Sequence, residues 1–565
     1  MSLFSSIQLA NNALIASQVG IQVTGNNIAN ANTPGYIREE VVFTPAPTQR
    51  KGDLLLGLGV DVQGIVQKVD LFLEERLRGA RSDLANGETQ ENTYLQLEAI
   101  VGELSDTDLS TSLDSFFNSI NDILNQPESI PVRNLAVLQG KTLADDIQRL
   151  DRRVREIRVD ANNRVVNAAD DINRLLEEIS KLNLQIVNVE GGGVTFSDAV
   201  GLRDKRQLRL SELSEIVDIQ SVEQTNGSVS VFSNGDYLVF EGGFREVKVE
   251  YESDRGLNIA EIRLAATDRK LDSSSGELAG LIASRDDILG GFLDSLDKFT
   301  QTLSFEFNRI FTSGQGLSGY GSIDSEFQVA DAAAALDQAG LTYTPENGSF
   351  QVQVHNKQTG LTQTTDVLVK LNGLSSDTTL DGLAAQLNAI DGLTATVTAQ
   401  RGLSIAGDSS NIEFAFADDT SGVLAALGVN TFFTGTGASD IGVRQAIRTD
   451  PGKFATSRGG VGADTEIAVE LAQLFEKPLD SQGGDSLADI YTRMTADTIQ
   501  GSAVATAVAE GFRVFQRTLE GQQLGISGVS IDEEAVNMIT YQRAFQASAR
   551  FIATVSEMLD ILVSL

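Results

Sequence analysis

The first stretch of the chain repeats apolar side chains at alternating steps of four and three residues, which is typical of a coiled-coil helix. Six of the eight repeat positions are apolar, and Ser17 and Thr24 fill the other two. The apolar positions are Leu3, Ile7, Ala10, Leu14, Ile21 and Ile28. Proline blocks helix continuation and glycine favours a turn, so we predict that this helix ends just before a five-residue turn. The turn is Asn32-Thr33-Pro34-Gly35-Tyr36.

The last stretch of the chain has the same periodicity. Ser530 and Glu533 have the spacing of a capping box, which predicts a helix that begins at Ile531 and runs to the last residue. Eight of its ten heptad positions are apolar. They are Ile531, Ala535, Met538, Phe545, Ala549, Ile552, Leu559 and Val563.

Two arrangements of these terminal helices fit the periodicity. They could pair with each other as a coiled-coil stalk, with the middle of the chain looped out from it. They could instead be ordinary amphipathic helices that dock on separate domains. The absence of Asp, Glu, Lys and Arg from residues 1–37 favours an enclosed, crowded setting, because an unpaired buried charge is costly.

Between the termini, helical and strand patterns alternate. Long helices are predicted near 133–189, 277–311 and 486–520, and Gly-containing turns predict β-hairpins near 216–264. The stretch 321–445 changes to short strands and one short helix, with 14 acidic and 4 basic residues. We therefore predict an α+β multidomain chain.

We divide this chain into three domains. Residues 1–37 with 530–565 form the terminal coiled-coil assembly domain. Residues 38–320 with 446–529 form a mainly helical domain that carries the hairpins, and 321–445 form an inserted α+β outer domain.

Charge and cysteine usage narrow the class of protein. The net charge is −35, so an anionic nucleic acid or lipid surface would repel the chain. No run of apolar residues is long enough to span a membrane, and the N-terminus has no signal-peptide pattern. We expect no nucleic-acid or membrane partner, and export without a cleavable signal peptide.

Candidate catalytic groups are scarce. The chain has no cysteine and one histidine, His355, which removes most zinc and nucleophile chemistry. Gly314, Gly316 and Gly319 match a dinucleotide motif but follow a predicted helix, whereas such a motif must follow a strand and open a helix. We predict no enzyme, no cofactor and no metal, and regard a secreted enzyme with a site in 321–445 as the weaker alternative.

The segment 26–36, with the sequence NNIANANTPGY, resembles the N-terminal signature of the flagellar rod, hook and hook-associated proteins. The segments 528–534 and 541–550, with the sequences GVSIDEE and YQRAFQASAR, resemble the C-terminal region of hook-associated members in particular. Parts of 116–140, 276–309 and 425–433 are also similar to them.

The resemblance implies a structural axial component of the bacterial flagellum that joins the hook to the filament. It implies extracellular assembly as a ring of copies, after export through the flagellar type III apparatus. The implied partners are the hook protein, the next hook-associated junction protein and an export chaperone on the C-terminal region. Another axial protein, of the hook or distal rod, is the alternative.

Overall fold

The computed structural model describes residues 3–102, 108–459 and 464–564 of the chain. Helix makes up 54% and strand 18%, so the predicted mixed α+β class is confirmed. The helices are α1 Leu3–Asn30, α2 Leu71–Val101, α3 Leu109–Asn125, α4 Ile130–Val189, α5 Val200–Ile216, α6 Gly276–Ala283, α7 Leu289–Thr312, α8 Leu380–Asn388, α9 Val423–Leu427, α10 Gln445–Thr449, α11 Glu466–Gln473, α12 Leu487–Ser527 and α13 Ile531–Ser564. A π-helical turn, Ser284–Ile288, joins α6 to α7.

The strands form small antiparallel sheets. They are β1 Glu39–Pro45, β2 Gln49–Lys51, β3 Leu54–Leu56, β4 Val60–Gln67, β5 Gln220–Glu223, β6 Val229–Ser233, β7 Asp236–Phe240, β8 Gly243–Phe244, β9 Val247–Asp254, β10 Leu257–Leu264, β11 Ser322–Asp324, β12 Gly348–Asn356, β13 Leu361–Val369, β14 Leu393–Val397, β15 Leu403–Gly407, β16 Ile412–Ala417, β17 Phe433–Thr434 and β18 Gly442–Val443. The hairpins predicted near 216–264 are present as β5 to β10. Asn234 and Gly235, between β6 and β7, both have positive φ, as a two-residue hairpin turn requires.

Three long helices lie close to their predicted positions, as α4, the pair α6 and α7, and α12. The predicted stretch near 277–311 contains the π-helical turn, which periodicity had not indicated. The hairpins β1–β4 and β2–β3 and the 31-residue helix α2 were not predicted. The predicted C-terminal helix is described as far as Ser564, because Leu565 lies outside the described residues.

The chain divides into two compact units. The first contains Met1–Thr93, Val159–Asp286 and Ala503–Leu565, and the second contains Tyr94–Arg158 and Asp287–Ser502. The predicted three-domain borders at 37, 320, 445 and 530 remain predictions beside this two-way division.

In the first unit, α1 and α13 pack along each other, and the β1–β4 hairpin covers part of α1. A separate apolar core lies between the C-terminal half of α4, α5, α6 and the strands β5 to β10. The amides of Asn162, Asn173 and Asn183 on α4 each bond a strand backbone, which aligns that helix with the hairpins.

The second unit has two apolar cores. One is rich in phenylalanine and includes the closely packed rings of Phe116, Phe307 and Phe432. Gly140, the glycine within α4, sits against two of them: a Cβ there would lie 2.6 Å from Phe432 and 2.9 Å from Phe116. The other core lies between α8 and the sheets β13-β12-β16 and β11-β15-β14.

The glycine-rich segment after α7 makes close backbone contacts. Gln315 pairs with Ser457 in an isolated bridge. A Cβ on Gly316 would collide with the backbone O of Gly452, and a Cβ on Gly319 would lie 3.0 Å from the backbone O of Phe414 on β16. The next element is the strand β11, so this segment does not open a helix as a dinucleotide motif requires.

Candidate assembly site at the chain termini

The terminal helices pair in antiparallel fashion, and close approach is possible because one contact position is glycine. A Cβ on Gly20 would lie 2.8 Å from the ring of Tyr541. Seven residues further along α1, Asn27 donates from Nδ2 to Oε2 of Glu534 over 3.2 Å. The α13 partner therefore moves back by seven residues as α1 moves forward by seven. The predicted pairing of the two chain ends is confirmed.

A buried polar cluster joins the two helices near the end of α1. The Asn27 Nδ2 also donates to the backbone O of Glu39, and its Oδ1 accepts from Tyr36 Oη over 2.8 Å and from the backbone N of Glu39 over 2.9 Å. Glu534 is buried and lies 2.6 Å from Nη2 of Arg38. Both polar atoms of the Asn27 amide are thus paired, which offsets the cost of burying them.

The predicted turn follows directly after α1. The backbone N–H of Thr33 donates to the backbone O of Asn30, and that of Tyr36 donates to Thr33. Gly35 takes φ of +75°, a left-handed conformation that favours glycine. The backbone N–H of Arg38 then donates to Ser527 at the end of α12, so the turn connects the terminal helices to the rest of the first unit.

Only some of the predicted heptad positions of α1 lie on the buried face of the helix. Ala10, Ser17 and Thr24 are buried, and the remaining predicted positions are half-buried: Leu3, Ile7, Leu14, Ile21 and Ile28. Four residues that the heptad pattern did not include are buried as well. They are Ala16, Gly20, Val23 and Asn27.

The heptad pattern predicts two inward positions in each repeat of α13, and one of the two faces inward in the structure. Met538, Phe545, Ile552 and Leu559 are half-buried, as is Ala535, whereas Ile531, Ala549 and Val563 are exposed. The second inward position lies one residue earlier than expected. It is occupied by Glu534, Tyr541, Ser548 and Val555.

Three of these four inward residues are polar or amphipathic, so a heptad pattern of apolar residues does not include them. Their own seven-residue spacing, and the small residue Gly20 opposite Tyr541, were the available signals. Whether the predicted positions make assembly contacts remains a prediction.

The outward faces of both helices carry many apolar side chains. Such side chains are usually covered in a finished assembly. They include Phe4, Leu9, Ile15, Val536, Ile539, Phe551, Met558, Ile561, Leu562 and Val563.

A cleft of about 770 Å³ lies at the base of the helix pair. Its walls are the turn 31–38, the end of α12, the start of α13 and part of α5. Ser527, which is 5% exposed, lines this cleft, and its hydroxyl has no hydrogen-bond partner within the described parts of the chain.

Ionisable groups beside the turn are perturbed by burial. Burial raises the pKa of Asp204 to about 7, although Gln67 Nε2 donates to its carboxylate over 2.5 Å. Burial also raises the pKa of Tyr36 and that of Glu39 above their ordinary values. The neighbouring carboxylates of Glu39 and Asp204 raise the pKa of Tyr36 further.

His355, the one histidine of the chain, and the buried carboxylate of Asp419 both form local hydrogen bonds. The Nδ1 atom of His355 lies 2.9 Å from the hydroxyl of Thr362 on the neighbouring strand. Asp419 accepts backbone N–H bonds from Ser421, Gly422 and Leu424 in a tight loop. Within 3–102, 108–459 and 464–564, no three His, Cys, Asp or Glu side chains group as a metal site. In the same ranges, no helix has the length and apolarity needed to cross a bilayer.

The segments that contain the two terminal helices match known flagellar families. Residues 7–36 match the family of flagella basal body rod proteins, and 521–565 match the C-terminal family of the flagellar basal body rod FlgEFG proteins. Residues 94–327 match the helical domain of the flagellar hook-associated protein FlgK. Full-length relatives agree: flagellar hook-associated protein 1 of Bacillus subtilis is 24% identical over 100% of this chain and 98% of its own length.

The chain is a homologue of flagellar hook-associated protein 1. The protein of that name from Escherichia coli is 24% identical over 99% of this chain and 100% of its own length. The flagellar hook junction protein FlgK from Burkholderia pseudomallei superposes with a TM-score of 0.49 at 15% identity, covering 80% of this chain and 100% of that one.

These relatives are structural proteins of the flagellum. The resemblance of the terminal motifs to flagellar hook-associated proteins is confirmed. The chain is a structural component of the flagellar axis and belongs to the motility apparatus. Its location is flagellar, and the relatives are named for an association with the hook.

Proposed function

We propose that this protein joins the hook to the filament. It assembles as a ring of copies, outside the cell, between the hook protein and the next hook-associated junction protein. It reaches that place through the flagellar type III apparatus without a cleavable signal peptide, and an export chaperone covers the C-terminal region before assembly. A place elsewhere on the axis, in the hook or distal rod, is the alternative.

The observation that carries the proposal is the outward apolar surface of the terminal helices. α1 and α13 pack against each other along one face, yet both leave large apolar side chains exposed on their outer faces. Residues 1–37 contain no ionised side chain, so neighbouring copies could enclose this helix without burying a charge. We therefore assign assembly to residues 1–37 with 530–565, and assign solvent-facing roles to the acidic segment 321–445.

A charged substitution on the outer face tests this assignment. We expect Ile539→Glu to fold normally, because Ile539 is exposed in the free chain, and to abolish assembly, because a carboxylate would be buried between copies. The matched control is Leu361→Glu, because Leu361 is an apolar residue of the acidic segment that is even more exposed than Ile539. Thermal unfolding of each variant and restoration of motility in a strain lacking the protein are the two measurements.

The expected outcome is unchanged unfolding for both variants and lost motility for Ile539→Glu alone. Full motility with Ile539→Glu would refute the assembly role of the outer face. Labelled antibodies on isolated flagella separate the hook–filament junction from the alternative position in the hook or rod.

A further inference from the structure

A cavity of about 130 Å³ lies inside the first unit, between α2, α5 and the strands β5 and β6. Its wall contains three arginines, Arg78, Arg203 and Arg206. Arg78 and Arg206 are buried. A buried guanidinium is costly unless an anion pairs with it, so the partners of each arginine decide what the cavity can bind.

Arg206 is a buried cation with no carboxylate at hydrogen-bond distance. Its Nη1 donates to two neutral acceptors, Oδ1 of Asn183 over 3.0 Å and the backbone O of Gly227 over 2.6 Å. Its Nη2 makes no hydrogen bond to any described residue. The carboxylate oxygen nearest to it among those residues, Oε2 of Glu223, lies 3.9 Å away, which is too far for a hydrogen bond. Burial and, to a smaller extent, the charge of Arg203 lower the pKa of Arg206 to about 10, so an anion in the cavity would stabilise its charged form.

The other two arginines of the wall have carboxylate partners. Arg203 bonds Glu190 through Nε and Nη2, and its Nη1 donates to Oε1 of Glu223 over 2.7 Å. Arg78 bonds Oε2 of Glu75 through Nη2, and its Nη1 makes no hydrogen bond within the described parts of the chain. The wall therefore has unused donors on two arginines and an unused acceptor, Oε2 of Glu223.

We infer that this cavity binds inorganic phosphate. Near neutral pH the ion has unprotonated oxygens, which accept from Nη2 of Arg206 and Nη1 of Arg78, and a P–OH group, which donates to Oε2 of Glu223. A tetrahedral oxyanion takes up the space of two or three water molecules, about 60 to 90 Å³ at about 30 Å³ each, so the cavity has room for it.

The carboxylates of the wall make the site selective. Sulfate has the shape of phosphate but no proton near neutral pH, so its oxygens would meet Glu223 and Glu75 with no hydrogen bond to offer them. Phosphate bound here would hold α2, α5 and β5 together beside Ile37, which lines the same cavity and directly precedes Arg38 of the terminal helix pair. This role is independent of the proposed function.

Titration calorimetry of the full-length chain tests the inference. Sodium phosphate or sodium sulfate is titrated at pH 7 and constant ionic strength, with chloride as the balancing anion. We expect saturable binding of phosphate and at least about tenfold weaker binding of sulfate, the ratio that one charge-assisted hydrogen bond produces. Absence of saturable phosphate binding, or equal binding of the two anions, would overturn the site.

The variant Glu223→Gln assigns the binding to this cavity. Its amide keeps an oxygen for Arg203 and adds an N–H donor in place of the free acceptor, so sulfate should bind within about threefold of phosphate. The matched control is Glu250→Gln, because Glu250 belongs to the same unit but lies outside the cavity, and it should keep the tenfold preference. Thermal unfolding without phosphate checks that both variants fold. A full preference for phosphate in folded Glu223→Gln would refute the assignment, and the titration of the natural chain decides the inference even if that variant does not fold.

Discussion

Glu534, which is buried, forms an ion pair with the half-buried Arg38 at the point where the two terminal helices meet. Glu534 also accepts from Asn27, so its carboxylate is bonded on both oxygens. Glu533, its neighbour, bonds the other nitrogen of the same guanidinium over 3.1 Å but remains largely exposed. The two adjacent acidic residues therefore contribute unequally to stability, because only Glu534 is buried.

Removing the buried member should loosen the helix pair. We expect Glu534→Ala to lower the opening free energy of α1 by about 3 kcal/mol, because it removes the buried carboxylate that pairs with Arg38 and accepts from Asn27. Glu533→Ala should change it by less than about 1 kcal/mol, as exposed pairs do. Hydrogen exchange of α1 amides measures both, and equal effects of the two substitutions would contradict this interpretation.

Asp204 makes the base of the helix pair sensitive to pH. Its folded pKa of about 7 lies above the ordinary value of 3.8, so the folded state binds its proton more tightly than the unfolded state. Stability from this group is complete below about pH 4 and is lost as pH rises to about 7, with a slope of at most about 1.4 kcal/mol per pH unit.

We expect Asp204→Asn to flatten this slope and to be more stable than the natural protein at pH 8. Asparagine keeps an oxygen that can accept from Gln67 but has no proton to lose. Denaturant unfolding at pH 5 and pH 8 tests the prediction, and an unchanged slope in the variant would assign the pH dependence to other groups, such as Glu39.

At the scale of elements, two glycines of α1 have opposite roles. Gly20 is buried against Tyr541 and leaves no room for a Cβ, whereas a Cβ on Gly25 would meet no atom within 4 Å among the described residues. Close helix approach at Gly20 is what lets a tyrosine occupy an inward heptad position. Gly25 contributes only the high conformational entropy of glycine in a helix.

We expect Gly20→Ala to separate α1 from α13 locally and to destabilise the pair by about 1 to 3 kcal/mol, as overpacking does. Gly25→Ala should stabilise α1 by up to about 1 kcal/mol through helix propensity. Amide protection across α1 gives both values. A stabilising Gly20→Ala would show that the helices are not held at this distance.

At the scale of the whole molecule, charge is distributed unevenly. The net charge of −35 is carried outside the first 37 residues, and 321–445 alone contribute −10. Charge repulsion between copies of the chain is therefore weakest along residues 1–37, which agrees with the proposed assembly role of the terminal helices.

The second unit should fold without the terminal helices. Its two apolar cores contain no residue from the described parts of 1–37 or 530–565. We expect a chain lacking 530–565 to keep the unfolding transition of that unit while it loses all assembly into flagella. Calorimetry and immunodetection on filaments measure these outcomes, and incorporation of the shortened chain would refute the need for α13.

The sequence by itself determined that both chain ends are heptad helices, that Pro34 and Gly35 end the first, and that the middle alternates helix and hairpin. These features follow from local periodicity and turn chemistry, which depend on neighbours along the chain. The terminal motifs also carried the flagellar recognition, which the full-length relatives confirm.

Only the tertiary structure decided which residues of those helices face inward. A polar residue such as Glu534 or Tyr541 faces inward only because Arg38, Asn27 and Gly20 meet it there. Those partners lie about 500 residues away along the chain, beyond the reach of any periodic pattern. The cleft around Ser527 could not be predicted from the sequence either, because its walls come from segments that lie far apart along the chain.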